Sequence, residues 1–349
     1  MPDKINLLDL TLDELTQLVI DWGEPRFRAL QIWRWVYNTL TSDPDEMVNL
    51  PKELRQRLRQ EVYVGHLQPL ATTVAEDGLS EKVLFAAADG QTLETVLMRY
   101  TNRNTVCVSS QIGCPVGCMF CATGQRGFVR NLTTGEIAAQ VLYFARKLRE
   151  QNAHVTNVVF MGMGEPLLND DAVWRAIHNL NDREGLALGA RRFTISTVGV
   201  VPGIERMARE SMSVGLAVSL HAPDNALRDR LVPINRRYPL EQLLPAVRRY
   251  IERTGRRVSF EYALAKGVND SDEHAQGVVR LLRGLLCHVN LIPLNPTPGC
   301  PYESSPRERV LRFQDILVKG RIQTTVRLRR GVEIEAGCGQ LRGQYLDQT

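Results

Sequence analysis

From about residue 104 the chain repeats one pattern six times: a short apolar run, then a stretch of helical periodicity. The apolar runs cover 105–110, 156–161, 192–198, 214–220, 257–262 and 288–293. Strands separated by helices lie parallel, because each crossover returns the chain to the same end of the sheet. Six βα units fall short of the eight that close a barrel. The pattern therefore predicts an α/β fold built on a partial, TIM-like (βα)6 barrel. A doubly wound open sheet would alternate in the same way, but no Gly-x-Gly-x-x-Gly follows the first run. Helix starts are marked by the capping box Thr133–Glu136, by Asp270-Ser-Asp-Glu273 and by Pro306.

The residues outside this repeat divide into three parts. Residues 1–65 read as a small helical domain. Thr11 and Glu14 form a capping box, a second helix follows Pro25, and a third follows Pro51. Phe27, Leu30, Trp33 and Tyr37 recur at helical spacing and are expected in its core. Residues 66–103 read as a β-hairpin extension, with strands at 82–87 and 91–99 around a turn. The barrel occupies 104–320. Residues 321–349 form a strand-like stretch at 323–328 and a glycine-rich tail. No run of about 18 apolar residues is present, and the amino terminus lacks a basic-then-apolar leader, so no membrane span and a cytoplasmic location are expected. Seven cysteines in 349 residues do not make a disulfide framework; they read as metal ligands, reactive thiols or core residues.

The net charge of +4 is unevenly spread. Residues 1–50 carry nine acidic and four basic side chains. Residues 228–257 carry nine arginines against three acidic residues, and 307–330 carry eight basic against two acidic. Such runs suit phosphate contact, although solvated helix faces produce them too.

Cys114, Cys118 and Cys121, in the run CPVGCMFC, directly follow the first barrel strand. That is the carboxyl end, where parallel sheets carry their chemistry. A structural zinc ion usually takes four ligands, and no fourth Cys or His lies in this run. Four-cysteine ferredoxin spacing is absent as well. Three thiolates fit a 4Fe–4S cluster whose fourth iron stays open to a substrate. The competing reading is an RNA-binding protein with a structural metal site and no catalysis. Further polar groups stand at strand ends: Gly164 and Glu165 in GMGEPLLN (162–169), Ser196, Ser219-Leu220-His221, and Asn295 in PLNP (293–296). Each alone is commonly a turn or cap residue; their shared position on one rim favours a site. Cys107 lies in the first strand. Cys338 lies between two glycines, a setting that leaves a thiol accessible.

An open iron at a strand end of a six-unit barrel resembles the radical S-adenosylmethionine (SAM) superfamily. Through LETVL (93–97), Cys107, the cysteine run, GMGEPLLN, STVG (196–199), SLHA (219–222), PLNP and CGQL (338–341), nearly the whole chain resembles the RlmN family. The resemblance implies a methyltransferase acting on carbon 2 of adenosine in 23S rRNA and in tRNA next to the anticodon. It implies a 4Fe–4S cluster on Cys114, Cys118 and Cys121. It implies two molecules of SAM per turnover, bound by Gly164, Glu165, Ser196, Ser219, Leu220, His221 and Asn295. Cys338 would carry the methyl group, Cys107 would release the product through a transient disulfide, and Glu94 would accept a proton. On its own, Glu94 reads as a solvent-facing strand residue. An electron donor such as flavodoxin or ferredoxin and a monomeric state complete the expectation. The sister Cfr family, which methylates carbon 8, shares the cluster and both extra cysteines; PLLN at 166–169 is more similar to RlmN. Cys287 and Cys300 read as core or loop thiols.

Overall fold

The computed structural model describes residues 4–295, 297, 299–327 and 331–341. The chain opens with β1 (Ile5–Asn6), α1 (Leu12–Asp21), α2 (Phe27–Trp33), α3 (Lys52–Glu61) and β2 (Val62–Tyr63), which pairs in parallel with β1. Thr11 and Glu14 form the reciprocal capping box that starts α1. The aromatic stripe divides: Trp33 and Tyr37 are fully buried, whereas Phe27 is 52% exposed and lies outside the core expected for it. Phe27 opens the helix and carries the Arg28 guanidinium over its ring instead.

Three antiparallel strands follow, β3 (Gln68–Val74), β4 (Ser80–Ala86) and β5 (Thr92–Tyr100). The first of these has no counterpart in the sequence reading. All seven of its residues are exposed, so no alternation of apolar and polar side chains marks it. β5 pairs with β6 (Arg103–Cys107), so the extension continues the barrel sheet. β7 (Gln111–Gly113) and β8 (Phe128–Asn131) form a small ribbon, and the loop between them bears the three cysteines and α4 (Ala122–Gln125).

The repeat then runs α5 (Thr134–Glu150), β9 (Asn157–Phe160), α6 (Asp170–Asn181), β10 (Phe193–Thr197), α7 (Val201–Met207), β11 (Gly215–Ser219), α8 (Asn225–Leu231), α9 (Leu240–Thr254), β12 (Val258–Leu264), α10 (Asp272–Leu282), β13 (Cys287–Pro293), α11 (Arg307–Lys319) and β14 (Thr324–Val326). Strands β6 and β9 to β14 are parallel neighbours in one ten-stranded sheet. The six expected barrel strands are all present, and β14, within the strand-like stretch expected at 323–328, joins them as a seventh parallel strand. The expected stretch at 323–328 ends outside the described residues, as do Pro296 and the tail at 342–349. The cap of α10 is Ser271, whose reciprocal partner is His274.

Strand alternation decides what faces the barrel interior. Val106, Val158, Phe193, Ile195, Val258, Phe260, Val289 and Leu291 are buried in the main core. Their neighbours Thr105, Asn157, Thr194, Ser259 and Asn290 line an internal cavity. The interior is therefore polar and hollow, unlike the packed centre of a closed barrel. The amino-terminal helices dock on the outer layer. Asp9 accepts from the Gly135 N–H at the start of α5 (2.6 Å), and Trp33 donates to Asp182 (3.2 Å).

Candidate active site

The cysteine loop is shaped by its own backbone and by the far end of the chain. The Cys114 N–H donates to the Gly127 carbonyl (2.8 Å), closing the loop at its base. The Ala122 N–H donates to the Gly339 carbonyl (2.8 Å), and Thr123 Oγ1 donates to the Leu341 carbonyl (2.5 Å). Asn295 Nδ2 donates to the Cys338 carbonyl (3.1 Å), and the Gly337 N–H donates to Gln340 Oε1 (3.0 Å). Residues 337–341 thus clasp the loop of Cys114, Cys118 and Cys121. Gly339, at φ +85°, is what lets backbone pass against the Phe120 carbonyl there.

A cavity of about 150 Å³ is lined by all three cysteines, Gly164, Glu165, Ser196, Ser219, His221, Asn295 and Cys338. A deeper one of about 490 Å³ fills the barrel and reaches Cys107 and Cys338. The two meet at Met161, Glu261, Ile292, Asn295, Arg327 and Cys338. Leu220 lines neither. Its side chain is in the main core, and its carbonyl accepts from Arg228 Nε (3.0 Å).

Glu165 is 2% exposed, and burial pushes its carboxyl up to about 7. Its two oxygens accept from the Leu167 N–H (3.0 Å) and the Val198 N–H (2.8 Å), which limits that rise. Gly164, at φ +100°, lies so close to Gln111 that a Cβ would stand 2.6 Å from Gln111 Cβ. The Glu165 N–H is held by Gln111 Oε1 (2.8 Å). His221 is buried with φ +59°, a strained backbone for a side chain this large. Burial pushes its imidazole down to about 3, so the ring is neutral. Nδ1 accepts from the Ala263 N–H (3.0 Å), which leaves Nε2 protonated.

Three thiols lining one wall fit an iron–sulfur cluster. Burial pushes Cys114 up to about 12 and raises Cys118 and Cys121 as well, a cost that coordination to iron removes. Among the described residues no group of three His, Cys, Asp or Glu closes around a single ion. A cubane takes one thiolate at each of three separate irons and needs no such convergence. Asn295 Oδ1, buried with no partner among the described residues, is a further acceptor for a group bound beside it.

All seven cysteines are free thiols, so the expected disulfide is not formed in this structure. Cys107 is buried and burial pushes it up to about 12, while Cys338 is exposed. Cys287 and Cys300 lie apart from the site, in the main core and in a small satellite cluster.

Glu94 is not solvent-facing. It is 1% exposed and pairs with Lys82 (2.9 Å), which also donates to the Glu335 carbonyl (3.3 Å). It shares a strand face with Val96 and Met98, which line the deep cavity; Glu94 itself does not.

The arginine runs also divide. Arg228 is fully buried, with bonds to the Leu220, Val198 and Ser219 carbonyls and to Asn235. It ties the ends of β10 and β11 and is not a phosphate contact; no charge pattern within its run distinguishes it. Arg327 belongs to the cavity wall. Arg309 and Arg312 pair with Asp272, and Arg249 with Glu205. Glu261 was absent from the sequence reading, yet its signal was present: it is the one charge in strand β12, at an inward position.

Residues 5–64 match the ribosomal RNA large subunit methyltransferase N-terminal domain, and residues 108–276 match the radical SAM superfamily. A Chloroflexus aurantiacus protein named probable dual-specificity RNA methyltransferase RlmN is 51% identical over 350 residues, covering 97% of this chain and 93% of that protein. The chain belongs to the RlmN family. A second RlmN relative, from Dictyoglomus thermophilum, is 46% identical over 98% of this chain and 97% of its own length. A radical SAM methyltransferase from Sphaerobacter thermophilus, known by its crystal structure, superposes with a TM-score of 0.96. It is 54% identical and covers 97% of this chain and 100% of its own. RlmN membership makes the barrel a radical SAM fold and the protein a radical SAM methyltransferase. Among the described residues no helix is long and apolar enough to cross a membrane.

Proposed function

We propose that this protein methylates carbon 2 of adenosine in 23S rRNA and in tRNA beside the anticodon, with the methyl carried on Cys338. The observation that carries this reading is the place of Cys338: an accessible thiol where two cavities meet, with Cys107 lining the deeper one. The upper cavity suits SAM and the deeper one a flipped base. Carbon 2 lies between two ring nitrogens and is electron-poor, so it cannot attack a sulfonium methyl. A thiolate can.

Cys114, Cys118 and Cys121 hold the cluster, which when bound supplies the electron that cleaves SAM homolytically. Cys338 Sγ first accepts a methyl from one SAM; its S–C bond forms as the sulfonium C–S bond breaks. The methyl on Cys338 then gives a hydrogen atom to the radical from a second SAM, and the methylene joins carbon 2. The adduct would return its surplus electron to the one-electron acceptor that the iron–sulfur group supplies when bound, and Glu94 is the expected acceptor of the ring proton. Cys107 gives up its proton and its Sγ attacks Cys338 Sγ; the S–CH2 bond breaks toward the RNA, the departing carbon takes up a proton to become the methyl group, and a disulfide remains. A thiol reductant returns two electrons and two protons. Gly164, Glu165, Ser196, Ser219, His221 and Asn295 bind and orient SAM, while Leu220 supports that wall from the core.

In this reading Arg230, Arg236 and Arg237, exposed near the cysteine loop, contact RNA phosphate. The protein works in the cytoplasm as a monomer and draws electrons from a flavodoxin or ferredoxin.

Mass spectrometry of protein and RNA product tests the carrier and the position together. The expected results are a methyl or methylene adduct on Cys338 and 2-methyladenosine in the RNA. Cys338→Ala should abolish turnover, and Cys107→Ala should accumulate a protein–RNA adduct. An 8-methyl product, or turnover by Cys338→Ala, would overturn the reading.

A further inference from the structure

Where the two cavities meet, one charged pair has no assigned role. Glu261 has a side chain 6% exposed in the wall of β12. Its Oε1 accepts from Asn290 Nδ2 (2.8 Å), and Asn290 Oδ1 in turn accepts from Thr325 Oγ1 (2.7 Å). This chain fixes the carboxylate plane. Among the described residues Oε2 is buried with no hydrogen-bond partner, and it forms an ion pair with Arg327, Nε 3.8 Å away. A buried acceptor left unmade is costly, and one that opens on a cavity suits a ligand that donates to it.

Arg327 follows β14, and its N–H is tied to the Leu291 carbonyl (2.8 Å). Its guanidinium rests on Met161 Sδ (3.8 Å from Nη2) and places Nη1 3.6 Å from Cys338 Sγ. Cys338, Arg327 and Glu261 therefore stand in that order along one wall. Adenine shows the same order along one edge: carbon 2, then N1 as acceptor, then the 6-amino group as donor.

We propose that Arg327 and Glu261 read the Watson–Crick edge of the target adenine. Arg327 donates to N1 and Glu261 Oε2 accepts from the 6-amino group, which turns carbon 2 toward Cys338. The pair selects both the base and the carbon. The proposal rests on the methyl-transfer reading above and adds the residues that determine its specificity. The opposite, Hoogsteen edge offers a similar acceptor and donor, N7 and the 6-amino group, but sets carbon 8 beside the thiol. A 6-oxo base fails on either edge, because its oxygen would face the carboxylate.

The test uses RNA carrying one defined nucleotide at the target position: adenosine, nebularine (which lacks only the 6-amino group) or 7-deazaadenosine. With the wild-type enzyme, nebularine should lose roughly 100-fold in kcat/KM, since a site built around a donor rejects an analogue lacking it. 7-Deazaadenosine should stay near adenosine. Glu261→Gln puts a donor where the acceptor was, so adenosine should fall to the nebularine level. SAM affinity, measured by equilibrium dialysis, should not change.

Three outcomes would overturn the proposal. One is an unchanged adenosine-to-nebularine ratio in Glu261→Gln. Another is weakened SAM binding with both RNAs affected equally, which gives Glu261 to the cofactor. The third is a loss with 7-deazaadenosine as large as with nebularine. The comparison of bases on the wild-type enzyme decides the matter even where the variant fails to fold. Wild-type enzyme that methylates no adenosine refutes the function itself, a result distinct from all three.

Discussion

At the scale of single residues, the wall of the smaller cavity sets two titrating groups against each other. The Glu165 carboxyl is raised from 4.5 to about 7, so the native state holds a proton that the unfolded chain has lost. Its contribution to stability is complete below pH 4.5 and disappears as pH rises through 7. His221 is lowered from 6.5 to about 3, so its contribution is present above pH 6.5 and lost as pH falls through 3. Glu165→Gln removes only the first. In chemical denaturation without ligands, this variant should match wild type below about pH 4.5. By pH 8 it should be about 3 kcal/mol more stable relative to wild type. Equal pH dependence in the two proteins would refute the raised carboxyl.

At the scale of elements, the strand ends that make the rim are held by Arg228. One guanidinium collects the carbonyls after β10 and at the end of β11, with Asn235 as its fourth partner. Burial lowers it to about 10, still charged at neutral pH. Arg228→Met strands those carbonyls in a dry site and should cost about 3–5 kcal/mol, read from the urea midpoint. An exposed arginine such as Arg253 should change the midpoint little on the same substitution. Gly164→Ala meets both a left-handed backbone and Gln111. It should weaken SAM binding at least tenfold by equilibrium dialysis, because the loop that carries Glu165 must move.

At the scale of the whole molecule, the cysteine loop and the 337–341 loop are one unit, because each supplies the other's backbone partners. Stripping iron from the reconstituted protein should leave the circular dichroism of the barrel unchanged, since its core is independent of the loop. Limited proteolysis should then cut near Arg126 and within the 331–341 segment together. Cleavage of one without the other would break the link between them.

The barrel was legible in the sequence because a short apolar run followed by helical periodicity recurs six times, and periodicity records local geometry. The three-cysteine run was legible as one loop because its spacing is local too. Glu94, Arg228 and Arg327 were not. Glu94 looked solvent-facing because its cation, Lys82, sits on another strand. Arg228 and Arg327 looked like members of basic runs because a run does not reveal which member turns inward.

The sequence alone thus determined the parallel α/β architecture, the three-thiol loop and the polar rim at the strand ends, all set by residues near one another in the chain. Only the tertiary structure decided that Cys338 meets Cys107 across a hollow barrel, and that Arg327 and Glu261 flank that meeting point. These residues lie on distant segments, and the closing of the sheet, which no local spacing encodes, is what brings them together.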